Sequence, residues 1–186
     1  MPLRSRYALI GVLVVLVAGL FVWKYGDSTG PVNTSTDEGR ELLRGWRDVE
    51  DQTLPDSGST LPGIFDASAG IPARGTILVN LWASNCGPCR HEMPWLQRLH
   101  DEDGISVIGV TRDNILANAE KFLRKRDITY PNVRDEFGDF MADLGDVVPP
   151  DLLPSTFLVV DGEITWVRPG PFDSYEDLRD SVADRT

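Results

Sequence analysis

Cys86 and Cys89 are the entire thiol supply of this 186-residue chain, and only Gly87 and Pro88 separate them. On a helix, positions three apart share a face with Cα atoms roughly 5 to 6 Å apart, within the range a disulfide tolerates. Such a pair can open and close without backbone movement. Ahead of it, residues 77–82 form a nearly continuous apolar run; behind it, Met93, Leu96 and Leu99 recur at helical spacing, with Pro94 expected to kink the helix. Cys86 therefore stands where a strand hands over to a helix. There, unpaired N–H groups and the positive end of the dipole stabilise a thiolate, which makes Cys86 the nucleophile. Cys89, one turn inward and more shielded, is placed to attack a mixed disulfide at Cys86 and release its partner. Pro88 costs nothing in a first turn, whose N–H groups lack helical partners.

Other uses of the pair fit less well. A bridge closing so short a loop removes little unfolded-state entropy, so a structural disulfide contributes little. A structural zinc site needs four ligands, and beyond the cysteines the chain offers only His91 and His100, both read as solvent-facing helix residues. Haem attachment needs histidine directly after the second cysteine, where Arg90 stands. No metal and no cofactor is expected.

The chain carries a net charge of −11, and its basic clusters, such as Arg124, Lys125 and Arg126, lie on an expected helix among acids. A surface of that sign repels phosphate backbones, which excludes a nucleic-acid partner. The 41% hydrophobic content and the length suit one folded domain with an appendage. The appendage is the N-terminus, where Arg4 and Arg6 precede an uncharged apolar stretch over residues 7–23. As a helix it would cover about 26 Å, close to the hydrocarbon thickness of a bilayer. Positive-inside asymmetry makes residues 1–6 a cytoplasmic tail, residues 7–23 a single-pass anchor in the cell membrane, and everything beyond extracytoplasmic. The competing reading is a cleaved signal peptide, against which the apolar run continues past the small residues Val17 and Gly19 with no A-x-A site after it. A lipoprotein is excluded, since no cysteine precedes position 86.

Residues 24–53 read as a linker with a short helix over 40–49, and residues 54–186 as the catalytic domain. After the cysteine helix come a strand over 105–110 and a helix over 113–126 with Ile115, Leu116, Ala119, Phe122 and Leu123 on its apolar face. Strands over 156–160 and 163–167 flank Asp161-Gly162, a dipeptide favoured in two-residue hairpins. Asp173 or Ser174 then caps a final helix. Such a series makes an α/β domain, a mixed central sheet flanked by helices, with ligands at the C-terminal ends of its parallel strands.

The run from Trp82 through Ala83, Ser84, Asn85, Cys86, Gly87, Pro88, Cys89, Arg90, His91, Glu92 and Met93 to Pro94 resembles the W-A-x-W-C-x-P-C-R-x-E-x-P signature of the TlpA/ResA/CcmG-like branch of the thioredoxin superfamily. The resemblance continues through residues 128–131 and 153–162 to Gly170 and the closing helix. It implies a thioredoxin-like fold and a cis-proline, Pro154, facing the cysteine pair, with Trp82, Asn85, Leu153 and Pro154 forming the substrate surface. It also places Asn80 where cytoplasmic thioredoxins bury an aspartate that helps the second cysteine lose its proton. Glu92 becomes the substitute: a partly buried acid with a raised pKa could exchange protons with Cys89 or the leaving thiol. The alternative for Glu92 is an exposed first-turn acid that favours the helix dipole. Asn85 departs from the family, which carries Trp before the first cysteine.

What the resemblance implies for function is a thiol-disulfide oxidoreductase that keeps apocytochrome c cysteines reduced for haem ligation, supplied with electrons by a CcdA- or DsbD-like membrane donor. The Gly87-Pro88 dipeptide, shared with the reducing thioredoxins, points to a reductant. The alternatives are a general extracytoplasmic disulfide oxidase or reductase acting on secreted proteins, and a redox-inert thioredoxin-fold binding module. A peroxiredoxin is disfavoured, because Ala83 stands where its threonine would be.

Overall fold

A computed structural model of the protein describes residues 45–50, 52–65, 70–145, 147–148 and 152–186. The expected tail (1–6), anchor (7–23) and most of the expected linker (24–53) lie outside the described residues. Among those described, no helix is long and apolar enough to cross a membrane.

Among the described residues, six strands form one sheet: β1 (Arg47–Asp48), β2 (Thr76–Trp82), β3 (Ser106–Thr111), β4 (Asn132–Arg134), β5 (Ser155–Val160) and β6 (Glu163–Pro169). Their order is β1-β6-β5-β2-β3-β4. β2, β3 and β4 are parallel, whereas β5 is antiparallel to both β2 and β6. The helices are α1 (Gly87–Glu102), α2 (Leu116–Lys125), α3 (Asp139–Asp143) and α4 (Tyr175–Ala183). The expected mixed α/β architecture, thioredoxin-like, is the one observed.

The apolar run on β2 is explained by its neighbours. Leu78 and Trp82 point into a core shared with α1, α2 and α4, while Ile77, Val79 and Leu81 point into a second core with Phe140 and Met141 of α3. A strand covered on both faces needs apolar residues at consecutive positions. Asn80 interrupts the first of these faces at full burial. The hairpin is the expected one: Asp161 (φ 50°) and Gly162 (φ 87°) both adopt positive φ, as a two-residue turn of matching twist requires. Helix α1 runs through Pro94 to Glu102.

Three local expectations are corrected. The described part of the segment expected to be helical over 40–49 is extended instead, with Arg47 and Asp48 opposite Val167 and Trp166 of β6. Thr53 bridges to Glu163, and the Ile164 N–H donates to the Gln52 carbonyl at 2.8 Å. The outer edge of β6 would otherwise leave its backbone groups without partners, and pairing them outweighs a weak helical pattern. Arg47, Asp48, Gln52 and Thr53 thus pair with the outer edge of the sheet. Helix α2 begins at Leu116, because Asp113 is engaged elsewhere, and Ile115 at its N-cap is 61% exposed instead of facing the core. Finally, β4 and α3, at three and five residues, are too short to leave a periodic signature and were not expected.

Candidate active site

The site is assembled at the C-terminal end of β2. After Trp82 the chain turns, with the Cys86 N–H donating to the Ala83 carbonyl at 3.0 Å. Asp113, at the end of the neighbouring β3, pins that turn: its carboxylate accepts from the Ser84 N–H and from the Ser84 hydroxyl, both at 3.0 Å. Arg90 reaches back from α1 to the Ser84 carbonyl at 3.2 Å. Cys86 is the N-cap of α1, and its Sγ accepts the Cys89 N–H at 3.2 Å. A helix-start donor is thus aimed at the sulfur that would carry thiolate charge. Cys86 and Cys89 form a disulfide with Cα atoms 5.4 Å apart. Cys86 is half-buried and Cys89 fully buried, the asymmetry expected of an attacking and a resolving cysteine.

Glu92 lies one turn beyond Cys89 on the same buried face of α1 and is 0% exposed. The alternative of an exposed first-turn acid is therefore overturned. Its Oε1 accepts from Asn80 Nδ2 at 2.7 Å and its Oε2 from the Phe172 N–H at 3.2 Å. Burial pushes its pKa from the ordinary 4.5 up to about 7, against the opposing pull of the Asn80 and Phe172 hydrogen bonds and the Arg168 charge. A carboxyl group balanced near neutrality can both accept and return a proton.

The other expected site residues divide. The Leu153–Pro154 peptide bond is cis; Ser155 lies opposite Leu81, which brings Pro154 to the end of the sheet where β2 delivers the cysteines. Asn85 and Leu153 line one groove of about 390 Å³ with Arg112, Asp113 and Phe137, and Phe137 is 84% exposed there. Trp82 does not join them. Its ring is fully buried 5.0 Å from Phe122, and its indole N–H donates to Asn132 Oδ1 at 2.9 Å. It is a core residue beneath the site and offers substrate no surface. His100 is half-buried, its Nδ1 accepting the Val107 N–H at 3.3 Å; His91 is exposed as expected.

Sequence reasoning missed Asp113, Thr156 and Asn132. Asp113 stands two residues past the end of β3, the one signal that could have separated it from the helix to which it was assigned. Thr156 accepts from Asn80 Nδ2 at 3.0 Å across the β2–β5 pair, a contact visible only once the strands are in register.

Residues 51–184 match the redoxin family. The thiol-disulfide oxidoreductase ResA of Oceanobacillus iheyensis is 31% identical over 98 residues, covering 50% of this chain and 49% of that protein. The chain spans about half the length of the ResA relatives it matches. The thioredoxin-like protein YneN of Bacillus subtilis is 30% identical over 141 residues, covering 70% of this chain and 72% of that protein. Among solved structures, a secreted thiol-disulfide isomerase from Corynebacterium glutamicum superposes with a TM-score of 0.61 at 24% identity, covering 73% of this chain and 88% of that one. StoA from Bacillus subtilis superposes with a TM-score of 0.54 at 25% identity, covering 66% and 93%. A paired-cysteine motif at a strand-to-helix junction, a cis-proline at the same sheet end and a family match over nearly the whole described region agree: the chain belongs to the redoxin family, as a thioredoxin-fold protein similar to ResA.

Proposed function

We propose that the domain is an extracytoplasmic thiol-disulfide oxidoreductase, anchored in the cell membrane by residues 7–23, that reduces protein disulfides and foremost the cysteine pair of apocytochrome c. The observation that carries the chemistry is the unequal burial of Cys86 and Cys89 with Glu92 one turn behind them. In the reducing direction, the Cys86 thiolate attacks one sulfur of a substrate disulfide, and the other substrate sulfur leaves and takes up a proton. Glu92, as carboxylate, accepts the proton of Cys89. The Cys89 thiolate attacks Cys86 Sγ of the mixed disulfide, the second substrate sulfur leaves, and the proton on Glu92 passes to it. Two electrons reach the substrate, which ends as a dithiol, and the Cys86–Cys89 disulfide forms. Returning the disulfide to a Cys86 thiolate and a Cys89 thiol needs two electrons and one proton, and a CcdA- or DsbD-like membrane protein fits as the electron donor to an anchored acceptor.

Groove residues Asn85 and Leu153, with cis-Pro154, would hold the chain that flanks the substrate cysteine. The test is trapping in cells. Cys89→Ser should accumulate mixed disulfides through Cys86, with apocytochrome c among them, and Cys86→Ser should accumulate none. Loss of c-type cytochromes on deletion, restored by an added external reductant, is required by the apocytochrome reading; intact cytochromes with impaired secreted disulfide proteins would replace it with a general role.

A further inference from the structure

One register row of the sheet is polar where the row before it is apolar. Arg168 on β6 pairs with Thr156 on β5, Thr156 with Asn80 on β2, Asn80 with Gly109 on β3, and Gly109 with Asn132 on β4. Two residues earlier along β2, on the same face, the row reads Trp166, Leu158, Leu78 and Val107. The polar row is not at the surface: Asn80 and Thr156 are 0% exposed and Arg168 is 6% exposed. Burying such groups in the middle of a core costs free energy unless each finds its partners. Asn80 does not find all of them. Its Nδ2 donates to Glu92 Oε1 and to Thr156 Oγ1, while its Oδ1 is buried with no hydrogen-bond partner among the described residues. An apolar residue at position 80 would remove that cost and continue the apolar face of β2. The amide is therefore oriented for what Nδ2 reaches and not for its own satisfaction.

We propose that Asn80, braced by Thr156, is a positioning residue that keeps Glu92 ionisable inside the core. Glu92 Oε1, which as a carboxylate oxygen can only accept, selects the Nδ2 end of the amide, and Thr156 Oγ1 gives that nitrogen a second anchor. An N–H donor favours the carboxylate over the carboxylic acid. Among the described residues, the groups that act on Glu92 are Asn80 and, through it, Thr156 from the sheet, the Phe172 N–H, the Arg168 guanidinium and Tyr130. Arg168 is itself held by Asp177 of α4 at 2.8 Å, which divides its charge. That leaves the Asn80 hydrogen bond as the nearest support for the ionised form from the sheet side. This inference rests on the proposal that Glu92 exchanges protons with the thiols, and it extends it to what sets the proton affinity.

The test follows the carboxyl directly. In full-length protein with ¹³C-labelled glutamate side chains, the Glu92 resonance is titrated in the wild type and in Asn80→Leu, Thr156→Val and Thr156→Ser, alongside the pH dependence of thiol exchange. Losing a hydrogen bond to a charged group corresponds to about one to two pH units. Asn80→Leu should raise the Glu92 midpoint by that much, Thr156→Val by less, and Thr156→Ser, which keeps the hydroxyl, should leave it at the wild-type value. The midpoint of the exchange profile should move with the resonance. An unmoved resonance in both Asn80→Leu and Thr156→Val overturns the positioning role. A resonance that moves while the exchange profile stays still preserves the positioning role and overturns the proton-exchange reading beneath it. Circular dichroism of each folded variant separates either result from unfolding.

Discussion

Asn80 and Glu92 meet across the interface of β2 and α1 through a 2.7 Å hydrogen bond, and neither side chain has any solvent exposure. A carboxyl group in that setting binds protons more tightly in the folded chain than in the unfolded one, with its pKa raised from 4.5 to about 7.

The folded state therefore holds more protons than the unfolded state between pH 4.5 and about 7, and Glu92 makes stability fall as pH rises through that window. Glu92→Gln removes the penalty. Denaturant titrations of the oxidised protein should find the variant close to wild type at pH 4 and more stable by up to about 3 kcal/mol at pH 8. A gain that is the same at both pH values would contradict the buried titration.

Alkylation of the reduced protein near neutral pH should modify Cys86 well before Cys89, since Cys86 is half-buried at a helix start and Cys89 is enclosed. Mass spectrometry of timed samples reads the order, and equal labelling would remove the assigned division of labour.

A Cβ placed on Gly109 would lie 2.0 Å from Asn132 Oδ1 and 2.8 Å from Trp82 Nε1. Gly109→Ala must displace the asparagine and break the indole hydrogen bond beneath the cysteines, so thermal unfolding should show a loss of about 2 to 3 kcal/mol. A change below about 0.5 kcal/mol would mean that the Trp82–Asn132 contact is dispensable.

Phe137 stands 84% exposed on the groove that also holds Asn85 and Leu153. If a substrate chain lies there, Phe137→Ser should raise KM for a peptide disulfide with an apolar residue beside its cysteine by about 3- to 10-fold while kcat holds, the mark of binding lost equally in ground and transition states. Steady-state kinetics with that peptide and with a serine-flanked counterpart decide it: an equal change for both would move the contact elsewhere.

How much of this was legible beforehand depends on how local each signal is. The strand-cysteine-helix junction was readable because an apolar run, two cysteines and a helical stripe are consecutive, and the Asp161-Gly162 turn because two residues suffice to define it. Glu92 was singled out by motif resemblance, yet its full burial was not, since burial depends on how α1 lies over the sheet. Trp82 was misread as substrate surface for the same reason: a motif tells that an aromatic stands next to the chemistry and not which way its ring points. The polar row across β6, β5 and β2 joins residues 80, 156 and 168, and no pattern within one segment can reveal a register between three.

The strand at residues 47–48 bears on where the protein can be cut. A fragment begun at residue 54, the expected domain start, would lose the partner of Val167 and Trp166, the 2.8 Å bond from Ile164 to Gln52 and the Trp46 ring that packs 6.1 Å from Phe172. Such a fragment would keep both cysteines and the cis-proline while presenting an open β6 edge to the next molecule, and bare edges of that kind recruit neighbours. Fragments for biochemistry should start upstream of Trp46. A protease cut on the C-terminal side of β1 would bare the same edge.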